Sequence, residues 1–459
     1  MLEELFSACE RALRACEAAG AEEAEVFALA RSTTEARFEL RDGEPHVFGY
    51  GTSRAGLAVR TYRAGRLGFS YTTDLSERAL EEVAKSSLRA ARPAEGFKGF
   101  PCPGKVPGHG IFDRTIAELT EEDVISMLRN LVSLGETGNV RVSAAHAGVS
   151  VVHFAVVNSH GLEASDAGTF VGASISTLAE GSPERVPANA LRRRLSELDL
   201  ARLAEESSSL SLAFARVEDA RPGKSDVLLS PWVAAELLAY AFADALRADK
   251  VRLGTSILKD RLGQPIASEV VSFYDDPLHP SGLCTFGMDD EGWPAERKVL
   301  VESGVLKGFL YDSLEAARQG LEGGGNCIRW EPPTVDTFYP RDYRFRPGIY
   351  PANLLLAPGT KEAEELMAEL GDGIYAHRST SGFGMTPSGD FSLFITNAFR
   401  VRDGEITGGL RELSLKGNVF DLLKHVEAVS SGVEPLLPSM AGFCTLMPYV
   451  LVRGVEVAA

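Results

Sequence analysis

Apolar positions along the chain change period several times, and each change marks an element. Leu2, Leu5, Phe6, Cys9, Leu13 and Cys16 recur at helical spacing, with Gly20 placed to end the helix. Between Glu25 and Phe48 the pattern is that of a strand pair turning at Asp42-Gly43, a favoured hairpin sequence. A second pair is predicted over Gly56–Tyr71, turning at Ala64-Gly65. A helix capped by Asp74 or Ser76 follows and runs to about Ala91, with Leu80, Val83, Ala84 and Leu88 on one face.

Arg92–Gly110 is rich in Pro and Gly, has no period, and reads as a linker. Thr120 and Asp123 then form a capping box ahead of Val124, Ile125, Leu128, Leu131 and Val132. β-Branched runs at Val149–Val157 and Phe170–Ile175 predict strands joined by a turn at Asn158–Gly161. A helix near Leu198–Leu210 closes this unit, and Ala220-Arg221-Pro222-Gly223 marks the next boundary.

Beyond it lies a strand, Asp226–Leu229, and a helix start in which Ser230 caps and Pro231 sits where its missing N–H costs nothing. This helix, predicted over Pro231–Asp249, is apolar on nearly every face, which places it in a buried position. Hairpins are predicted at Val299–Val301 with Val305–Leu310, and at Ala398–Arg402 with Glu405–Thr407; a short helix spans Thr360–Leu370. The pattern as a whole predicts an α+β fold. An N-terminal α+β portion with antiparallel hairpins divides into units 1–95 and 111–218. A β-rich C-terminal domain, 222–459, surrounds the buried helix.

Charge narrows the function classes. With 64 acidic against 47 basic residues the net charge is −17, which repels phosphate backbones at long range. The densest basic run, Arg192-Arg193-Arg194, is followed by Glu197 and Asp199 and reads as a solvated face, so no nucleic-acid partner is expected. No apolar run approaches the ~18 residues needed to cross a bilayer. The most apolar stretch, Trp232–Leu246, is interrupted by Glu236 and Asp244, and the acidic N-terminus lacks a signal-peptide pattern. A cytoplasmic protein with no membrane partner is the expectation. Six cysteines without a C-x-x-C pair read as reduced thiols, and Cys9 and Cys16 share a helical face.

The motifs that could carry chemistry mostly fail on spacing. Gly223-Lys224-Ser225 lacks the upstream glycine of a phosphate loop, having Glu218 in its place. Gly382-Phe383-Gly384 continues without a glycine in register, and no G-x-S-x-G elbow exists. None of the eight histidines is spaced for a helical metal pair. His153 and His160 read as strand and loop residues, and His279 as part of a rigid polar turn, Asp275–Pro280. Asp289-Asp290-Glu291-Gly292 lacks the alternate-ligand spacing of a calcium loop and reads as a solvated hairpin turn. Gly323-Gly324-Gly325-Asn326 reads as a plain loop, and Cys284 and Cys444 have no neighbouring His. Residue chemistry alone reaches a multidomain α+β protein without a recognisable catalytic constellation.

The order of the pieces reaches further. After Ser230-Pro231 and its helix come Arg252–Ile257, Ile266–Ser268, Tyr274–Pro277, Asp289–Gly292 with Pro294, Val299–Asp312, and Leu413-x-Leu415-Lys416-Gly417-Asn418. This series resembles the TldD/TldE (PmbA) family, once labelled modulators of DNA gyrase, and Gly20–Leu88 is similar to that family's first domain. The resemblance implies a pair of subunits: a TldD-type zinc metalloprotease and a TldE-type partner. TldD-type chains carry H-E-x-x-x-H on the helix that matches Pro231–Asp249. Aligning the prolines puts Glu236 and Ala241 at the histidine positions and Leu237 at the catalytic glutamate; the stretch contains no histidine. The resemblance therefore implies a TldE/PmbA-like non-catalytic subunit with no catalytic, cofactor or metal residues of its own. Zinc is expected only in a TldD-type H-E-x-x-x-H paralogue, its heterodimer partner, acting on unfolded peptides. The competing reading is a metal-free homodimer that binds peptides or serves as a scaffold, and a homodimer is expected when the chain is alone. Cys444 reads as a small buried residue. The tail Pro435–Tyr449, with Leu436, Leu437, Met440, Phe443, Leu446 and Met447, either packs on its own domain or faces a partner.

Overall fold

Strand β1 (Glu23–Arg41) shows how the chain builds two cores from one alternation. Val26 and Ala28 belong to one apolar cluster, and Phe27 and Leu29 to another on the opposite face. The structure, a computed structural model, describes residues 2–41, 43–102, 106, 108–330, 341–380, 385–438 and 443–459. In it β2 (Glu44–Arg63), β3 (Arg66–Thr72), β4 (Arg92–Pro93), β5 (Val140–Asn158), β6 (Glu163–Ala179) and β7 (Val186–Arg192) join β1 in one antiparallel sheet, ordered β4-β3-β2-β1-β5-β6-β7. The two predicted hairpins share the single 20-residue strand β2. Asp42 of the first turn lies outside the described residues. Ala64 and Gly65 of the second both have positive φ, +49° and +76°, as a two-residue hairpin turn requires.

Helices cover one face of this sheet. α1 (Leu2–Ala18) and α2 (Glu77–Arg89, capped by Ser76) bury Leu5, Cys9, Cys16, Leu80 and Val83 against Val26 and Leu57. After the short α3 (Arg114–Glu118), α4 (Glu121–Gly135) and α5 (Leu200–Ala213) bury Leu128, Leu131 and Leu203 against Phe38, Val142 and Ile175. The Thr120–Asp123 capping box is formed. The direct pairing of β1 with β5, from Glu25↔Asn158 to Glu39↔Ala144, carries the sheet across both N-terminal units. The stretch that reads as a linker is held at several points: Ala94 and Phe100 are buried, and Gly110 donates its N–H to Asp166 Oδ1 at 2.9 Å. Pro103–Lys105 and Pro107 of that stretch lie outside the described residues.

Among the described residues the C-terminal domain holds two larger sheets beside a two-stranded one, Cys327–Ile328 with Gly348–Ile349. One runs Gly373–Ser379, Gly223–Leu229, Val450–Ala458, Leu413–Asn418, Asp390–Arg402, Glu405–Arg411, Val217–Asp219, and Gly373–Ser379 also pairs with Asp390–Arg402, closing five of these strands into a barrel. The other has six strands. Helix α6 (Pro231–Ala245) sits in the core shared by both, where Val233, Leu238 and Phe242 meet Val227, Phe273 and Leu354. It is shorter than the predicted Pro231–Asp249. Arg247 turns extended, pairs with Asp244 at 3.4 Å and Asp249 at 2.9 Å, and starts a separate helix, α7 (Ala248–Leu253).

Two surface readings are corrected by burial, and the open reading of the tail is decided by it. Arg193 is no solvated residue: it is 0% exposed, and its guanidinium donates to the carbonyls of Thr169 (2.9 Å), Ile111 (2.9 Å) and Leu283 (2.7 Å) between the rings of Phe170 and Phe286. Asp289-Asp290-Glu291 is not a solvated turn either. Glu291 pairs with Arg60 at 2.8 Å, Asp290 with Arg341 at 3.1 Å, and Glu25 with both Arg60 and Arg329, all of them buried. These ions clamp β1 and β2 to the C-terminal domain, and each charge finds a partner because burying it alone would cost several kcal/mol. The tail, finally, packs into its own domain. Glu434–Leu436 and Cys444–Met447 are strands of the six-stranded sheet, with Leu446 and Met447 fully buried, while Met440 lies outside the described residues.

Candidate functional site

The start of α6 is fixed by its cap. Ser230 donates its N–H to Ala376 O (2.9 Å) and its hydroxyl to His377 O (2.7 Å), and its Oγ accepts from Val233 N–H (3.2 Å). The helix N-terminus is thereby tied to the strand Gly373–Ser379 at a β-bulge, where Ala376 pairs with Ala398 but Arg378 pairs with Asn397. A regular strand would send His377 and Arg378 to opposite faces; with the bulge, both line one cleft. Its volume is about 140 Å³, and its other walls come from α5, β7 and the tail.

Most charges in these walls are already engaged. Arg192 pairs with Glu434 at 2.7 Å, Glu197 with Arg194 at 2.9 Å, and Asp199 caps α5 through Arg202 N–H at 3.0 Å. Arg378 and Glu206 are in a different situation. The Arg378 guanidinium lies 4.4 Å from the centre of the Trp232 ring, the residue is 8% exposed, and its buried Nε has no hydrogen-bond partner. Burial lowers its pKa, and the carboxylate of Glu206 opposes that shift most strongly. Burial raises the pKa of Glu206 in turn, with Arg378 pulling the other way.

His377 is held neutral. Burial, and then the Arg378 charge, push its pKa down to about 3. Its Nε2 faces Pro187 O at 3.1 Å and its Nδ1 faces the Tyr375 hydroxyl at 3.0 Å. The carbonyl accepts only, so the assigned tautomer carries its proton on Nε2 and receives one from Tyr375. The cleft thus combines a fixed positive charge, a helix N-terminus, a neutral imidazole and one half-buried carboxyl. That set can hold a small anionic group with a neighbouring donor.

The positions singled out on the helix lie in α6 but do not form a metal site. Leu237 and Ala241 are buried at 0% and 1% among the apolar residues of the main core. Glu236, 3% exposed, is near enough to Arg378 to favour its charge. One carboxylate without an imidazole is not a donor set that fits zinc. Among the described residues, no group of three His, Cys, Asp or Glu is arranged to hold a metal ion. The remaining candidates are dispersed. His160 pairs with Glu23 at 2.9 Å, and His153 sits on β5 beside the Phe112 ring. His279 Nδ1 accepts from Ser281 N–H within its turn. Cys444 is fully buried, and its Sγ accepts from Leu283 N–H at 3.4 Å. Gly382–Gly384 lies outside the described residues. Sequence reasoning found Ser230 and Pro231 but missed Arg378, Glu206 and Trp232. The bulge that brings them together has no local signature.

The chain matches known proteins over nearly its whole length. Residues 24–91 match the family description PmbA/TldA metallopeptidase domain 1, residues 114–213 its central domain, and residues 222–459 its C-terminal domain. An uncharacterized protein of Methanocaldococcus jannaschii is 26% identical over 372 residues, covering 81% of this chain and 83% of that one. A metalloprotease of Methanothermobacter thermautotrophicus is 31% identical over 233 residues, about half of each chain (51% and 48%). The crystal structure of TldE from Thermococcus kodakarensis superposes with a TM-score of 0.85 at 25% identity, covering 98% of this chain and 100% of that one.

Proposed function

The chain belongs to the PmbA/TldD metallopeptidase family, and from that premise we propose that it is the non-catalytic, TldE/PmbA-like subunit of a heterodimeric zinc metalloprotease that degrades unfolded peptides. The observation that carries this reading is the state of α6. Leu237 and Ala241 stand where the resemblance expects a general base and a zinc ligand, and both are sealed in the apolar core. A leucine cannot accept a proton from a metal-bound water, and an alanine cannot ligate. The likeness to a TldE structure supports the same assignment. The zinc and the catalytic glutamate would come from a TldD-type paralogue in the cytoplasm. No helix among the described residues is long and apolar enough to cross a membrane.

The test is the purified chain by itself. It is expected to carry no stoichiometric zinc by elemental analysis and to leave unfolded polypeptides intact. Chelator-sensitive cleavage that survives stringent purification, or one zinc per chain lost on replacing Cys444 or His279, contradicts the assignment.

A further inference from the structure

The cleft at the start of α6 holds a buried cation with an unsatisfied donor. Arg378 is more than nine-tenths buried, and its Nε is without a hydrogen-bond partner. Leaving a buried guanidinium donor unpaired is costly, and a polar group entering the cleft can complete it. The group is also held in place: Trp232 stacks on it, and the Ser230 cap fixes the backbone of the preceding residue. Beside it, Pro231 has no N–H, and Ser230 takes the N–H of Val233. The N–H of Trp232 remains as the donor at the helix N-terminus.

Three acidic residues of the rim do not compete for Arg378, while Glu206 and the buried Glu236 favour its charge without bonding its Nε. Glu434, Glu197 and Asp199 are each engaged elsewhere. Glu206 faces the cleft with its carboxyl half-buried and close enough to Arg378 for each to act on the other's charge. A ligand here therefore meets a guanidinium, a helix N-terminus and a hydrogen-bond acceptor. An α-carboxylate with a nitrogen donor on the adjacent carbon has that arrangement. It places its two oxygens on Arg378 and the Trp232 N–H, and its N–H on Glu206. The cleft, about 140 Å³, is far above the ~10–15 Å³ that admits one water and suits one terminal residue.

We propose that this cleft is a binding site for the terminal α-carboxylate of an amino acid or peptide, with Arg378 as its anchor and Glu206 as the acceptor of the ligand's nitrogen donor. The site goes beyond the subunit assignment, because this chain alone supplies every group. A partner subunit is not needed for the test, and failure of either claim leaves the other standing.

The experiment titrates the full chain at neutral pH with N-acetyl-tetra-alanine, its C-terminal amide, and free L-alanine, by calorimetry. In parallel, ¹⁵N NMR follows the arginine Nε resonances. The free-acid peptide or L-alanine is expected to bind, and the amide at least roughly tenfold more weakly, since it lacks the charge that Arg378 recognises. Binding of the peptide and not of L-alanine assigns a chain terminus; binding of L-alanine assigns the free amino acid. Arg378→Gln, shown folded by its melting profile, is expected to weaken the bound probe by roughly tenfold or more. In the wild type one Nε resonance should shift on titration, a readout independent of whether the variant folds. Equal affinity for acid and amide overturns the proposal. So does no binding of any probe up to roughly 10 mM, a range that includes even the weakest useful affinities. An Nε resonance untouched at saturation does the same.

Discussion

Replacing Arg193 with methionine distinguishes a buried clamp from a solvated face. Methionine keeps an apolar stem between Phe170 and Phe286 and deletes only the guanidinium. Lost with it are three short bonds, to Thr169 O, Ile111 O and Leu283 O at 2.9, 2.9 and 2.7 Å, each worth about 1.5–3 kcal/mol for a charged donor. Two cation–π contacts at 4.5 and 4.9 Å go as well. Against this, the variant no longer desolvates a charge, which recovers several kcal/mol. The balance is a loss of about 3–5 kcal/mol, at the large end for a single substitution that breaks a buried hydrogen-bond network. Urea unfolding at pH 7.5 reads the loss. Hydrogen exchange should place it where Arg193 ties β7 to Ile111 and to the Leu283 loop. A change within about 0.5 kcal/mol, normal for an exposed substitution, would refute the clamp.

Two further outcomes follow from burial. His377 has a folded pKa of about 3 against 6.5 free, so the folded state binds fewer protons between those values. Its contribution is complete above pH 6.5 and is lost as pH falls toward 3. At pH 5 the loss is about 2 kcal/mol, from 1.36 kcal/mol per unit. His377→Gln should lose that much less stability than the wild type between pH 7.5 and pH 5 in urea melts, and parallel pH profiles would contradict it. Leu237→Glu, which restores the glutamate of a zinc helix, puts an unpaired carboxylate into the main core. It should cost more than about 3 kcal/mol and reduce soluble yield; a variant that melts like the wild type would show the position open to solvent.

Features specified by neighbouring residues were legible in the sequence. The Ser230-Pro231 helix start, the Thr120–Asp123 box and the Ala64-Gly65 turn all follow from local backbone chemistry, and each is present. What was not legible depends on partners far along the chain. Asp289–Glu291 looks like a polar turn until Arg60, Arg329 and Arg341 arrive from other elements. Arg193 looks solvated until the Ile111 and Leu283 carbonyls close over it. The linker looked free because its anchor, Asp166, lies on β6. The same holds for the cleft. Arg378 enters it through a bulge set by the register of two strands and lines it together with Glu206 from α5, a juxtaposition that no window of sequence contains.

Co-expression with an H-E-x-x-x-H paralogue from the same genome tests whether this chain is one half of a protease. The expected result is a one-to-one complex on size exclusion with mass determination, and hydrolysis of unfolded peptides that neither chain performs alone. Two proteins that elute apart, with the paralogue fully active by itself, would contradict it and leave a homodimeric peptide-binding or scaffold protein in its place.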